Sequence, residues 1–413
     1  MTKQKSAKNF VIIFCLGISS GLPIVLILST LKALLLDKGF DLKTIGFFSL
    51  VSIPYTLKFC FAPIIDSCAI PLLTKTFGQR KSWIILSQVI LAAFISFLGI
   101  AGITGSMTTI AVFSVLVAFA SASQDIVVDG YRIELFEPEN QGLAASFYVY
   151  GYRIGMLISG AGALVLAELV SWDVVYFTMA ACMILFAFAT MFAKETRKNF
   201  HQKSHDFSSW IKNAVVAPFV DFTRHSNWLV ILAFIVFFKL GDVFAGNLTL
   251  PFLLEIGFSK IEVASIVKTF GLFATLFGVF IGGIFVKKIG INKSLWIAGI
   301  MQMVSNLAFS YLSQIGYDSQ LLYSVIFIEN LSGGIGDAVF VAYLSGLCNV
   351  AFSATQYALL VSCATLARSL LTSSAGIFAQ SLGWYKFFIL STFLAIPGLI
   401  FLLWLTVKKP VKN

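Results

Sequence analysis

The sequence predicts an all-α polytopic membrane protein with twelve transmembrane helices in two six-helix halves. Three observations carry that prediction. Of the 413 residues, 58% are hydrophobic and 12% charged, against about 25% charged in ordinary soluble domains. The apolar stretches run about 20 residues, the length that crosses roughly 30 Å of hydrocarbon at ~1.5 Å per residue. The second half of the chain also repeats features of the first in the same order, which predicts a duplicated architecture.

Apolar windows bounded by charged or Gly/Pro breaks place the segments at 10–36, 44–66, 83–104, 109–134, 142–167, 174–193, 227–254, 261–286, 294–315, 321–347, 356–380 and 385–407. The first follows Lys3, Lys5 and Lys8. It is too long for a signal peptide and lacks a small-x-small cleavage site, so it reads as a retained helix. Twelve crossings put both termini on one side. That side collects eighteen Lys and Arg, among them Lys75, Lys287, Lys288 and Lys293, against Lys38, Lys43, Lys260 and Lys386 opposite. The positive-inside rule makes it cytoplasmic. The one long hydrophilic interruption, Lys194 to Asn227, holds His201, His205 and His225. Residues 194–226 therefore read as a cytoplasmic linker between an N-terminal half, 1–193, and a C-terminal half, 227–413. The apolar and polar mix at 207–222 predicts a short helix on the inner membrane surface.

The net charge of +10 sits in short clusters beside apolar segments rather than along one face. It implies the lipid bilayer as a partner and not nucleic acid. Six cysteines without C-x-x-C or metal-ligand spacing read as packing residues, so neither metal nor cofactor is expected. A monomer is expected.

A carboxylate at membrane depth costs about 2.5–3.5 kcal/mol on insertion scales and is kept where it has a partner or a watery cavity. The fourth segment carries Asp125, Asp129 and Arg132 at i, i+4 and i+7, on one helix face. Two like charges beside Arg153, a cation on the next segment, can share one proton. Asp125 and Asp129 are thus proton-coupling candidates, with Asp337 and Glu329 in the tenth segment as the others. Lys239 and Asp242, three apart on one helical turn, are predicted to form an ion pair. Each such pair also has a plain structural reading, as a tie that only holds helices together. Lys32 is expected to snorkel to the outer surface. Glycines at 151, 155, 160 and 162, and at 333, 334 and 336, predict close helix packing.

The internal echo is specific. Leu35-Leu36-Asp37-Lys38-Gly39-Phe40 after the first segment matches Leu253-Leu254-Glu255-Ile256-Gly257-Phe258 after the seventh, and Asp125 corresponds to Asp337. Two parallel six-helix halves around a midplane site are the major facilitator architecture. Asp66 followed by Gly78-Gln79-Arg80-Lys81 resembles the D…G-R-[RK] loop of that superfamily, with Gly282-Gly283 and Lys287-Lys288-Ile289-Gly290 as a fainter second copy. Asp66, Gly78, Arg80 and Lys81 are therefore assigned to a cytoplasmic gate. An acid at one helix end and cations at the next make a latch that a rocking domain can form and break.

Six blocks resemble the AmpG muropeptide permeases in order along nearly the whole chain: Ile18-Ser19-Ser20-Gly21-Leu22-Pro23, the stretch from Asp41 to Leu50, Ser121-Ala122-Ser123-Gln124-Asp125-Ile126-Val127, Gly151-Tyr152-Arg153-Ile154-Gly155-Met156, Lys239-Leu240-Gly241-Asp242 and Phe352-Ser353-Ala354-Thr355-Gln356-Tyr357. There are departures. Gly130 stands where the family has Ala, and Gln79 and Lys81 replace arginines in the loop.

The resemblance implies import of N-acetylglucosaminyl-1,6-anhydro-N-acetylmuramic acid, with or without peptide, by proton symport for peptidoglycan recycling. A disaccharide needs amides, hydroxyls and flat aromatic faces, which Gln124, Tyr131, Tyr148, Tyr152, Asn247, Asn330 and Gln356 offer at membrane depth. Arg153 or Lys239 would complement the muramic carboxylate through a charge-assisted bond. The alternative is a facilitator for another bulky anion, such as an acyl-coenzyme A or a nucleotide. A membrane enzyme acting on lipid-linked sugars would need a catalytic cluster near an aqueous loop. The histidines, confined to 201–225, argue against one.

Overall fold

A computed structural model describes residues 3–41, 44, 45, 48–104, 106–197 and 207–408. Every regular element among them is helical. Among the described residues, eleven helices are long and apolar enough to cross a membrane. With one shorter helix, they are numbered here α1 (Ala7–Asp37), α2 (Lys58–Ser67), α3 (Gln79–Thr104), α4 (Met107–Leu135), α5 (Pro138–Ala167), α6 (Trp172–Met191), α7 (Trp228–Glu255), α8 (Lys260–Ile289), α9 (Ile291–Ile315), α10 (Ser319–Leu347), α11 (Val350–Thr372) and α12 (Ala375–Val407).

The segment expected to be continuous over 44–66 is not. Its described part is a 3₁₀ turn at Phe48–Ser52, a short turn of helix at Ile53–Thr56 and then α2. Pro54 and Pro63 lie in it, and each removes a backbone donor and crowds the carbonyl four residues back. Apolarity was legible there, but helix continuity was not. α7 is also interrupted, at Lys239 (φ −111°, ψ 11°) and Leu248 (φ −118°, ψ 5°). Pro251 accounts for the second break by the same clash. In α1 the ladder widens to a π turn at Leu26–Thr30, just after Pro23. Of the linker, residues 207–223 are helical; His201 and His205 lie outside the described residues.

Two compact units emerge. The first comprises the chain through Glu137 with Phe147–Asp221 and Cys348–Ser362; the second comprises Pro138–Ser146, Phe222–Leu347 and the chain from Cys363. The start of α11 therefore packs with the first unit, although it comes late in the sequence. Each unit has its own apolar core, around Leu22, Leu91, Val117 and Met183 in the first and Phe252, Phe309, Leu322 and Phe388 in the second.

In the first unit, α1 and α5 cross with their backbones touching. A Cβ on Gly151 would overlap the Phe14 carbonyl, one on Gly155 the Ile18 carbonyl, and one on Gly21 the Tyr152 carbonyl. In the second unit, Gly278 and Gly334 play the same part between α8 and α10, against Leu331 and Thr275. The small-residue signal was thus right for Gly151, Gly155 and Gly334. It was not for Gly333, which has nothing within 4 Å, or for Gly162, whose one near neighbour is its own helix.

The duplication is visible atom by atom. Gly78 (φ 85°) opens α3 as Gly290 (φ 81°) opens α9. Ser82 then bonds back to the Gly78 carbonyl as Ser294 does to that of Gly290. At unchanged spacing further on stand Asp125 and Asp337.

Candidate functional site

The C-terminal half of α4 buries a run of polar side chains in the first unit. Asp125 and Asp129 are 7% and 5% exposed, and Gln124 and Arg132 are fully buried. Asp129 takes Arg132 at 3.4 Å and Lys58 of α2 at 3.9 Å. Two cations, Arg132 and Lys58, thus stand beside this acid, neither of which the sequence reading names as its partner. Lys58 lies in the second segment, whose interruption at Leu57 changes the register expected for a continuous helix. The Arg132 guanidinium lies over the rings of Tyr148, at 5.8 Å, and Tyr357, at 5.3 Å, and both ring faces attract the cation. Tyr152 packs beside Tyr148, with ring centres 6.0 Å apart. Arg153 is half-buried on α5.

Gln124 donates to Ser19 Oγ at 2.9 Å and Ser20 Oγ at 3.3 Å. Ser19 also accepts from Gln88 and itself donates to the Leu16 carbonyl, which exhausts its single proton. The Gln124 amide is thereby fixed nitrogen-first against α1. Its buried Oε1 and Asp125 Oδ1 have no hydrogen-bond partner among the described residues. Two adjacent acceptors without a donor suit a proton, a water or a ligand N–H or O–H.

At the other end of α4 lies a buried charge cluster. Arg80, fully buried, donates to Asp66 Oδ1 at 2.7 Å, to Glu134 Oε1 at 2.6 Å and to Ser353 Oγ at 3.0 Å. Asp66 Oδ2 in turn accepts from Thr355 N and Oγ1, both at 3.0 Å. A second cation, Arg197, reaches Asp66 at 3.1 Å and Glu134 at 2.7 Å. Burial, with Arg80 close by, pulls the Arg197 guanidinium below the ordinary arginine value, though it stays protonated. Glu195 accepts the α3 amide protons of Arg80 and Lys81. Gly78 is required there, since its φ is positive and a Cβ would overlap the Glu195 side chain. Lys81 turns away to cap the Met191 carbonyl at 2.7 Å. Sequence reasoning placed Asp66, Gly78 and Arg80 in this cluster and missed Glu134, Glu195, Arg197, Ser353 and Thr355. The signal it passed over was an acid and a cation two residues apart directly after the sixth segment.

Other expected residues are dispersed. Tyr131 donates to the Lys194 carbonyl at 2.8 Å. Gln356 is fully committed, donating to Pro218 O and Asp221 and accepting from Asn349 N. In the second unit, Lys239 pairs with Asp337 and not with Asp242. Lys239 caps the helical turn that holds Asp242, its carbonyl accepting from Val243 N at 3.1 Å, so Asp242 feels the Lys239 charge while the ammonium itself reaches across to α10. Asn330 accepts from Thr275 at 2.9 Å and donates to the Ile326 carbonyl. Its neighbour Glu329 is half-buried, and Asn247 is exposed.

Comparison with known proteins decides the lineage. A profile of the Major Facilitator Superfamily matches residues 10–372. The anhydromuropeptide permease of Escherichia coli K12 is 40% identical over 394 residues, which cover 95% of this chain and 78% of that one. The chain belongs to the AmpG permeases of the major facilitator superfamily. A putative transporter, AmpG 4, of Rickettsia conorii is 39% identical over 402 residues, 96% of each chain. The crystal structure of the human organic anion transporter MFSD10 superposes with a TM-score of 0.70 at 15% identity, covering 96% of this chain and 99% of that one, which speaks to the fold alone. As an AmpG permease of this fold, the chain is a multi-pass membrane transporter and not an enzyme.

Proposed function

We propose that this protein imports anhydro-muropeptides into the cytoplasm of a bacterium by proton symport across the inner membrane, with both termini cytoplasmic. The observation that carries the substrate class is the 40% identity, over 95% of the chain, to a protein named as an anhydromuropeptide permease. The geometry supports the coupling: Asp125 and Asp129 lie one turn apart in a buried face, with an acceptor of Asp125 unpartnered among the described residues. A carboxylate without a full set of donors binds a proton readily, and a neighbour already paired to Lys58 and Arg132 does not compete for it. In this reading Asp125 carries the proton. Asp129 holds the cations in place, and Gln124, Tyr148, Tyr152 and Arg153 offer sugar and carboxylate contacts. The cluster around Arg80 acts as the cytoplasmic gate.

The deciding experiment is uptake of radiolabelled N-acetylglucosaminyl-1,6-anhydro-N-acetylmuramic acid by proteoliposomes under an imposed pH gradient, acid outside. Accumulation that collapses with a protonophore is expected. Uptake indifferent to the gradient would refute symport, and no uptake of the sugar with uptake of an acyl-coenzyme A or nucleotide would refute the substrate class.

A further inference from the structure

The repeat that relates Asp125 to Asp337 also pairs their preceding residues, Gln124 and Gly336, and these differ in a telling way. In the first unit Gln124 sends its amide to α1, where Ser19 and Ser20 receive it, and Gln88 of α3 is bonded at both ends, to Ser19 and to Thr190. In the second unit no side chain leaves α10 at Gly336. The space is filled from α9: a Cβ on Gly336 would overlap the amide of Gln302. One turn along α9, the Asn306 amide nitrogen lies 3.3 Å from where a Cβ on Gly241 would stand.

Both side chains are 2% exposed. Neither amide atom of Gln302, nor the amide nitrogen of Asn306, has a hydrogen-bond partner among the described residues. A buried amide with no partner is costly, and leucine would fill the same volume without that cost. The two amides back the residues beside a charged pair, since Gly336 precedes Asp337 and Gly241 lies two residues beyond Lys239. What satisfies a carboxamide oxygen and two amide nitrogens together is a small molecule that both donates and accepts, and water does so with two to four partners.

We propose that Gln302 and Asn306 hold an internal water cluster behind α7 and α10, at the level of Lys239 and Asp337, which hydrates that ion pair when its partners separate during transport. In the first unit the buried amide nitrogens of Gln88 and Gln124 do reach hydroxyls, and the positions of Gln302 and Asn306 are taken by Ile90 and Phe94.

The test is X-ray hydroxyl-radical footprinting of the full chain in lipid nanodiscs, with ¹⁸O-water as the label and mass spectrometry as the readout. Phe309 is fully buried and one turn beyond Asn306, so bulk water does not reach it, and bound water nearby is the source of any oxidation. Oxidation of Phe309 in the wild type, reduced several-fold in Gln302→Leu with Asn306→Leu, is the expected result. The single variant Gln302→Leu is expected to transport more slowly with its thermal midpoint unchanged. No oxidation of Phe309 in the wild type, a measurement that needs no variant to fold, overturns the proposal. So does a Gln302→Leu protein that is more heat-stable and transports at the full rate.

Discussion

Removing Arg80 tests the cytoplasmic gate quantitatively. The Arg80 guanidinium is fully buried between Asp66, whose side chain is 6% exposed, and Glu134, 2% exposed. Deleting one member of a buried pair costs about 3–5 kcal/mol when it strands the other charge. Here the acids are not stranded, because Arg197 remains at 3.1 and 2.7 Å from them. Arg80→Ala should therefore fall at about 3 kcal/mol, the low end of that range. Arg197→Ala, removing a cation that is 17% exposed, should cost less. The double variant leaves Asp66 and Glu134 with no cation between them, so its cost should exceed the sum of the singles by about 1–3 kcal/mol, as coupled neighbours do. The assay is a double-mutant cycle on thermal unfolding in detergent, run beside maleimide labelling of Ala358→Cys in a background without native cysteines. Ala358 is 1% exposed on the part of α11 that packs with the first unit, so labelling reports release of that segment. Additive costs with unchanged labelling would show that the two arginines do not share the acids and that the cluster is no gate.

Other outcomes follow from the same contacts. Asp125→Asn should keep counterflow exchange of the muropeptide and lose accumulation driven by a pH gradient; concentrative uptake at the wild-type rate would move the coupling proton to Asp129, Asp337 or Glu329. Gln124→Leu removes the donor that Ser19 and Ser20 receive and the acceptor beside Asp125, and should weaken sugar binding by about 1–3 kcal/mol. An unchanged KM in folded protein would take Gln124 out of the site. Gly155→Val drives a side chain into the Ile18 carbonyl and should cost at least ~1–3 kcal/mol by forcing α1 and α5 apart. Gly246→Ala, with nothing within 4 Å, is the control, and equal stability loss in both would discredit the close crossing. Asp337→Asn leaves Lys239 unpaired in a pair 16% and 30% exposed, and should therefore destabilise less than Arg80→Ala; a larger loss in the same unfolding assay would refute the ranking by burial.

The sequence by itself determined the class of this protein, since local quantities suffice for it. A helix spans a membrane by length and apolarity, which are read along one stretch of chain. Duplicated motifs such as those ending in Asp125 and Asp337 survive as spacing, and acids inside apolar runs announce themselves because they are expensive there. What the tertiary structure decided was partnership. Lys58 lies against Asp129, on a segment whose helix is interrupted at Leu57 just before it. Lys239 makes its ion pair with Asp337, 98 residues away in sequence, although Asp242 stands on the turn that Lys239 caps. Arg197 and Glu195 join Asp66 and Arg80 across more than a hundred residues of chain. An ion pair depends on distance in space, whereas sequence records only distance along the chain, and the two agree only inside an unbroken helix.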